Sequence, residues 1–583
     1  MKERRNKIGG SSVSSWLKGL TVVLVLSCFT VGAGQAQVTF SSRTYPIAHL
    51  PLQVVAGDFN GDGKPDIAFL SAQDGTVSVL LANADGTFSA TRDYAAITPQ
   101  GQDVNYYATG ILAGDINGDH KVDLVVSDPV AMSVNVLLGN GNGTFHEPGK
   151  TSLGFLVQLD ALIGLADLNG DGKIDVVMYG APSDGSAVGP FALLGNGDGT
   201  FTPDTITNAG MGGYTFVMAD MDGDGKADVV SPFLTGSWVP ELFLFKGNGD
   251  GTFQTGATGT ELTTWTAFIT SGDFNHDGNT DLVSTSYQEV YCEFKACRNQ
   301  GPPGALAVML GDGKGAFGGP GIVESGDFGP GAVGDFDGDG NLDIIAERSA
   351  DRQSSESFEI RLGQGDGTFP TSVNGSFTSS VVAMTAVDLN GDGLSDVVVL
   401  HSSGLEVDLN TTPTFTLSAR QGEAEVAAGG SATYTIKITE QNGLSKKVDL
   451  ECTAPAGVGI TCSVTPSSVD PEGSTTLTVM TTAGTLAQMS RSVSGRSALF
   501  LALGIPMGML VVGVGVRRKP MLTRNLGVVV VASVLCACVA VESACGGSLN
   551  TGTSGTPAGK YTVTVMGSAG TVQHSTSVSI TVQ

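Results

Sequence analysis

Three observations predict an all-β fold made of repeated units. An acidic nonapeptide recurs seven times in the first 400 residues, a glycine-rich turn into Thr-Phe recurs in step with it, and 83 of the 583 residues are glycine. The nonapeptide carries Asp at positions 1, 5 and 9 and Asn or Asp at position 3. In the first three copies these are Asp58, Asn60, Asp62, Asp66; Asp115, Asn117, Asp119, Asp123; and Asp167, Asn169, Asp171, Asp175. The fourth and fifth supply Asp220, Asp222, Asp224, Asp228 and Asp273, Asn275, Asp277, Asp281. The last two supply Asp335, Asp337, Asp339, Asp343 and Asp388, Asn390, Asp392, Asp396. Oxygen-bearing side chains at this spacing, with a backbone carbonyl at position 7, are what a hard cation such as Ca²⁺ requires. Glycine at positions 4 and 6 of most copies lets the chain curl around the ion. The pattern predicts up to seven calcium ions.

The copies start at residues 58, 115, 167, 220, 273, 335 and 388, a period near that of a propeller or solenoid. Apolar runs follow them, as at Ile67–Leu70, Leu124–Val126 and Asp396–Leu400, and suit strands buried on both faces. Each unit then reaches its Thr-Phe-type turn: Leu80–Phe88, Leu137–Phe145, Leu193–Phe201, Leu244–Phe253, Met309–Phe317 and Arg361–Phe369. Asn-Gly and Asp-Gly turns signal hairpins, so each unit reads as about four short antiparallel strands, one propeller blade. The last copy lacks a Thr-Phe, whereas Val38–Ile47 precedes the first copy as the other Thr-Phe segments precede theirs. Residues 37–412 are therefore expected to form a seven-bladed ring. Val38–Arg43 would close it by pairing near Leu405–Asp408, with Phe40 standing where Phe88 and Phe201 stand in their own blades.

These paired signatures resemble the FG-GAP (VCBS) repeats of bacterial surface proteins and are similar to the seven-bladed head of integrin α subunits. The resemblance covers roughly residues 38–412. It implies calcium in loops between the outer strands of a blade and ligand recognition on a propeller face. Two features depart from the pattern: all seven units carry the loop, and His120 and His276 replace glycine.

The formal charge is −27, and the seven loops hold 23 of the 57 acidic residues. The acidity is thus metal-binding capacity, and it argues against a nucleic-acid partner, which it would repel. Residues 1–36 have the basic start, apolar core and small-residue end of a secretory signal. Export permits disulfides, so Cys292 with Cys297 and Cys452 with Cys462 are candidate bridges, buried free thiols being the alternative. Residues 413–485 look like an immunoglobulin-type β-sandwich short of closing strands, which return at 556–583. Between these parts lie apolar segments 497–516 and 526–545, joined by a basic stretch at 517–525. They read as a two-helix transmembrane hairpin with a cytoplasmic loop, placing propeller and sandwich on the extracytoplasmic side.

No catalytic constellation stands out: the histidines are scattered, and the paired carboxylates are committed to the loops. The expectation is a membrane-tethered, calcium-stabilised module, not an enzyme, that binds an extracellular glycan or protein ligand, as in adhesion. A polysaccharide-degrading enzyme or its carbohydrate-binding component, and a structural envelope protein, are the alternatives. Trp238, Trp265, Tyr106, Tyr107 and Tyr214 fall between motifs, where they either line a binding face or pack between blades. The excursion Ser284–Gly304 is the leading recognition loop, because an insertion into a regular repeat usually maps to an exposed loop.

Overall fold

The computed structural model describes residues 38–484 and 555–583, apart from 48–50, 84, 90, 102–109, 154–160, 181–188, 204–214, 235–239, 263–265, 294–295, 301–302, 350–356 and 402–403. The expected signal (1–36), both apolar segments (497–516 and 526–545), their basic connector (517–525) and the five inter-motif aromatics lie outside the described residues. Among the described residues, no helix is long and apolar enough to cross a membrane, and the regular elements are all strands.

Four-stranded antiparallel sheets, of the kind typical of propeller blades, recur along the first 410 residues. The first sheet runs Gln53–Gly57, Asp66–Ser71, Thr76–Leu80, Arg92–Ala95, each strand pairing with the next. The same order is repeated in sheets 2 to 6, which begin at Ile111, Ala161, Val217, Thr266 and Asp327. The second strand is the apolar run after the acidic motif and is buried along its whole length, as in Asp66–Ser71 and Asp123–Asp128. It has a neighbouring sheet on each side, so both of its faces are apolar rather than one.

The seventh sheet is assembled from both ends of this region. Its strands Val381–Val387, Asp396–His401 and Gly404–Asn410 are completed by the N-terminal strand Phe40–Tyr45. The register runs from Phe40 opposite Asn410 to Tyr45 opposite Leu405. This matches the pairing expected of the N-terminus, displaced by about two residues. Each pair of successive sheets shares a buried core. Phe59, Leu70, Ile111 and Leu124 fill one between the first and second sheets, and Phe69, Leu80, Val398 and Leu405 fill another between the first and the seventh.

Two inserted or appended elements complete the fold. A hairpin, Glu289–Glu293 with Ala296–Gln300, projects from the fifth sheet between its second and third strands, with Cys292 opposite Cys297. After Thr412 two further sheets face each other. One contains Thr414–Arg420, Ser431–Gln441, Ser474–Thr481 and Ile460–Thr465. The other contains Glu423–Val426, Val572–Val582, Gly559–Ala569, Val448–Thr453 and Ser468–Val469. Ser431–Gln441 alternates exposed and buried residues, the mark of a strand with one face on a core. That core holds Tyr434, Ile436, Leu477, Val563 and Val578, so the C-terminal strands share it with residues before 482. A Cys452–Cys462 disulfide joins the two sheets.

Candidate metal centre

Each acidic motif forms the loop between the first and second strands of its sheet; in the first sheet it spans Gly57 to the second strand's start at Asp66. The resemblance placed these loops between outer strands, and the structure corrects this. First strands of neighbouring sheets contact one another, so the loops lie towards the inner strands. The outer, fourth strand comes instead from the chain after the Thr-Phe turn.

The loop is held by its own amides. Asp58 Oδ1 accepts from the N–H groups of Gly61 and Asp62 (2.7 and 3.1 Å), and Oδ2 accepts from Gly63 (2.8 Å). Asn60 Oδ1 accepts from Asp62 N–H at 2.8 Å, and Asp62 Oδ1 from Lys64 N–H at 3.0 Å. Such bonds fix each carboxylate from the backbone side while leaving lone pairs for a cation. Gly61 and Gly63 sit at φ 76° and 82°, where a Cβ would be strained. His120 (φ 62°) and His276 (φ 55°) occupy the same left-handed positions in their loops. His276 is partly compensated, since its Nε2 lies 2.9 Å from Asn341 Oδ1 in the next loop.

The ninth residue behaves differently. Asp66 is wholly buried; its Oδ2 accepts from Phe59 N–H and its Oδ1 from Ala82 N–H at the end of the third strand. Asp123, Asp175, Asp228, Asp281, Asp343 and Asp396 each accept the same two backbone bonds. This aspartate therefore staples the loop to the third strand, whatever else it binds. Position 2, unassigned by the sequence reading, is also structural. Phe59, Ile116, Leu168, Met221, Phe274, Phe336 and Leu389 are all buried. Phe59 and Phe274 meet the Thr-Phe rings of the following sheets, Phe145 and Phe369, at 5.5 and 5.8 Å. The signal was available, because all seven residues at this position are apolar.

Burial and neighbouring carboxylates disfavour ionisation in several of the loops. Burial pushes the carboxyl of Asp66 up to about 6, Asp335 to about 6, Asp337 to about 7, Asp396 to about 7 and Asp343 to about 8. Carboxylate oxygens of Asp220, Asp222 and Asp224 lie within 4.8 Å of one another, as do those of Asp335, Asp337 and Asp343. These are the two loops with Asp rather than Asn at position 3, and each cluster includes that residue. An all-oxygen anionic set suits a hard cation and not a soft one. In the fourth loop the Lys246 ammonium reaches Asp222 Oδ2 at 2.8 Å, where the third has Leu194. That loop carries part of its own counter-charge.

Two other charged clusters are internally neutralised. His401 Nε2 lies 2.6 Å from Glu406 Oε2, both buried in the seventh sheet. Arg348 and Arg361 pair with Glu324 and Glu359 across the fifth and sixth sheets.

Residues 58–126, 115–178 and 167–231 match the FG-GAP-like repeat family in three overlapping stretches. Residues 58–231 carry FG-GAP-like repeats. The match spans the first four acidic loops, from Asp58 to Asp228. Among solved structures, a lectin from Agrocybe aegerita that recognises non-reducing terminal N-acetylglucosamine is 20% identical. That similarity covers 59% of this chain and 88% of that one, with a TM-score of 0.39. AofleA from Arthrobotrys oligospora is 12% identical over 58% and 90% of the two chains, with a TM-score of 0.32. Domains 4 and 5 of the S-layer protein SbsC are 13% identical over 34% and 75%, with a TM-score of 0.14. No curated protein matches the chain.

Proposed function

We propose that the FG-GAP-like repeats form a closed, seven-bladed propeller stabilised by calcium in its acidic loops, and that it works outside the cytoplasm as a ligand-binding module rather than an enzyme. The observation that carries the reading is the shared loop architecture. Seven loops place oxygen ligands on a backbone-bonded frame, and burial leaves several of their carboxylates in want of a cation. Ring closure is supported by the N-terminal strand in the seventh sheet and by the core shared between first and seventh sheets. The two-sheet C-terminal domain is of immunoglobulin-like type, and the segments 497–516 and 526–545 tether the protein to a membrane.

Metal at these loops would supply charge neutralisation. The residues holding it would be those at positions 1, 3 and 5, with position 9 at its back. Binding only the folded state contributes about 2.7 kcal/mol per site at a free concentration of 100 Kd. The ligand is a glycan or protein met on a face, and the hairpin Glu289–Gln300 is the leading contact because it interrupts an otherwise regular sheet. A polysaccharide-degrading role would need acids or bases free of partners, and the two charged clusters above are paired.

Melting curves with calcium and with excess EGTA test the metal. A large fall in Tm is expected on chelation, and an unchanged melt overturns the reading. A glycan and matrix-protein array, with and without calcium, tests recognition. Replacing residues 287–298 by a Gly/Ser linker should preserve the fold and weaken binding.

A further inference from the structure

The seven loops are not equivalent. Position 5 is exposed at Asp62, Asp119, Asp171, Asp224 and Asp277, half-buried at Asp339, and only 3% exposed at Asp392. Position 7 is Lys in the first four loops and Asn in the next two, but Leu394 in the seventh, where it is wholly buried. The C-terminal sandwich covers these two loops. Asn442, at φ 55° in the turn after Ser431–Gln441, donates from Nδ2 to Asp392 Oδ2 at 2.8 Å and to Thr412 O at 3.2 Å. The tip of the hairpin joining Gly559–Ala569 to Val572–Val582 sits on both loops. Gln573 N–H donates to the carbonyl of Gly338, position 4 of the sixth loop. His574 packs against Gly393, position 6 of the seventh loop, so closely that a Cβ there would come within 2.8 Å of its ring. The ring is fixed from behind by Thr414 Oγ1 at 2.6 Å and by Phe415, edge-on at 5.1 Å.

We propose that the C-terminal sandwich is a cap for the sixth and seventh loops, and that its docking is thermodynamically linked to cation occupancy of those loops. The inference rests on the proposed cation binding and adds the direction of coupling. Docking takes the carboxylate of Asp392 out of water, and the cap brings it only a neutral amide donor. Burying a charge without a charged partner is costly. A cation already in the loop removes that cost, so occupancy favours docking. Docking in turn tightens the cation by the same factor. The five loops without a cap gain nothing from it. Leu394 is the sequence mark of the covered loop: a lysine there, as in the first four, would bury an ammonium beneath the sandwich.

Hydrogen exchange of the full chain, in calcium and in EGTA, tests this. Peptides over 58–66 and 115–123 report cation binding by uncovered loops, and a peptide over 570–576 reports docking through the Gln573 amide. Calcium should slow exchange at 570–576 by a factor within the usual range of coupling, about 5–150-fold, along with slowing at the uncovered loops. Asn442→Ala and Leu394→Lys should each reduce protection at 570–576 in calcium while peptides 58–66 and 115–123 keep theirs. Slowing at the uncovered loops with no change at 570–576 overturns the coupling and leaves the metal reading intact. No response anywhere overturns both. Full protection at 570–576 in both variants shows that the cap is held otherwise and overturns the assignment.

Discussion

His120 and His276 place a Cβ where the loop wants glycine, at φ 62° and 55°. A left-handed non-glycine residue costs about 1–2 kcal/mol, while glycine's extra freedom in the unfolded chain gives back about 0.4–1 kcal/mol. His120→Gly should therefore raise stability by up to about 1.6 kcal/mol in a denaturant melt. His276→Gly should gain less, because the 2.9 Å contact with Asn341 that it gives up is closer than the 3.6 Å approach of the exposed His120 Nδ1 to Asp115 Oδ2. Equal gains would mean that the contact contributes nothing. A second pair reports on pH. Burial disfavours the His401 imidazolium, but the Glu406 carboxylate and Ser380 carbonyl outweigh it and hold His401 above its ordinary value. Burial likewise opposes ionisation of Glu406, yet bonds from His401 and Thr378 hold it below its usual range. A raised histidine contributes stability below its unfolded value of 6.5 that is lost as pH climbs through its folded value. A lowered glutamate contributes above 4.5, and its share is lost as pH falls through its folded value. His401→Gln should thus cost most near about pH 5.5 and less near about pH 8.5. A pH-independent cost would show that the pair acts as a hydrogen bond without charge.

Within one sheet, the loop and the strands it joins allow a cation's contribution, on the proposed reading, to be separated from the backbone's. Asp171 is exposed and serves the loop, whereas Asp175 is buried and accepts two backbone N–H groups, from Leu168 and Gly195. An amide in place of the Asp175 carboxylate turns a donor towards one of those N–H groups. An orphaned buried donor costs about 1–3 kcal/mol. In EGTA, Asp175→Asn should lower Tm and Asp171→Asn should not; in calcium both should. Equal behaviour in EGTA would mean that the ninth position is no staple. The sequence reading treated both residues as ligands, because spacing reveals which oxygens are near one another and not which amides face them. The blade-sized period, the buried second strand and the Thr-Phe turn were legible, since each repeats with its own residue pattern. The order of strands from inside to outside was not, because a local motif carries no information about which strand faces the neighbouring sheet. The cap on the last two loops was marked only by Leu394, one apolar residue in a column otherwise of lysine and asparagine.

At the scale of the whole molecule, six of the seven four-stranded sheets between residues 40 and 410 are built from strands close in sequence, and the seventh needs a strand from the far end of this region. Thr39 N–H donates to Thr412 Oγ1 at 3.2 Å across 373 residues, and Tyr45 packs edge-on to Phe88 of the first sheet at 5.7 Å. Tyr94 repeats this second contact with Phe145 between the first and second sheets, so the N-terminal strand does for the seventh sheet what Arg92–Ala95 does for the first. Phe40 stands opposite Asn410 as Phe88 stands opposite Ala82, but it is half-buried where Phe201 is 5% exposed. Fully burying a Phe contributes about 1.5–3 kcal/mol. Phe40→Asp should therefore destabilise, though less than Phe201→Asp. Removing residues 38–47 is a different lesion: it leaves Gly404–Asn410 as an open edge and uncovers apolar surface around Phe336 and Phe358, which Phe40 touches. Chemical denaturation and light scattering should rank the three, with the deletion worst and prone to aggregate. A deletion no more harmful than Phe40→Asp would mean that the strand adds nothing to the core already shared by the first and seventh sheets.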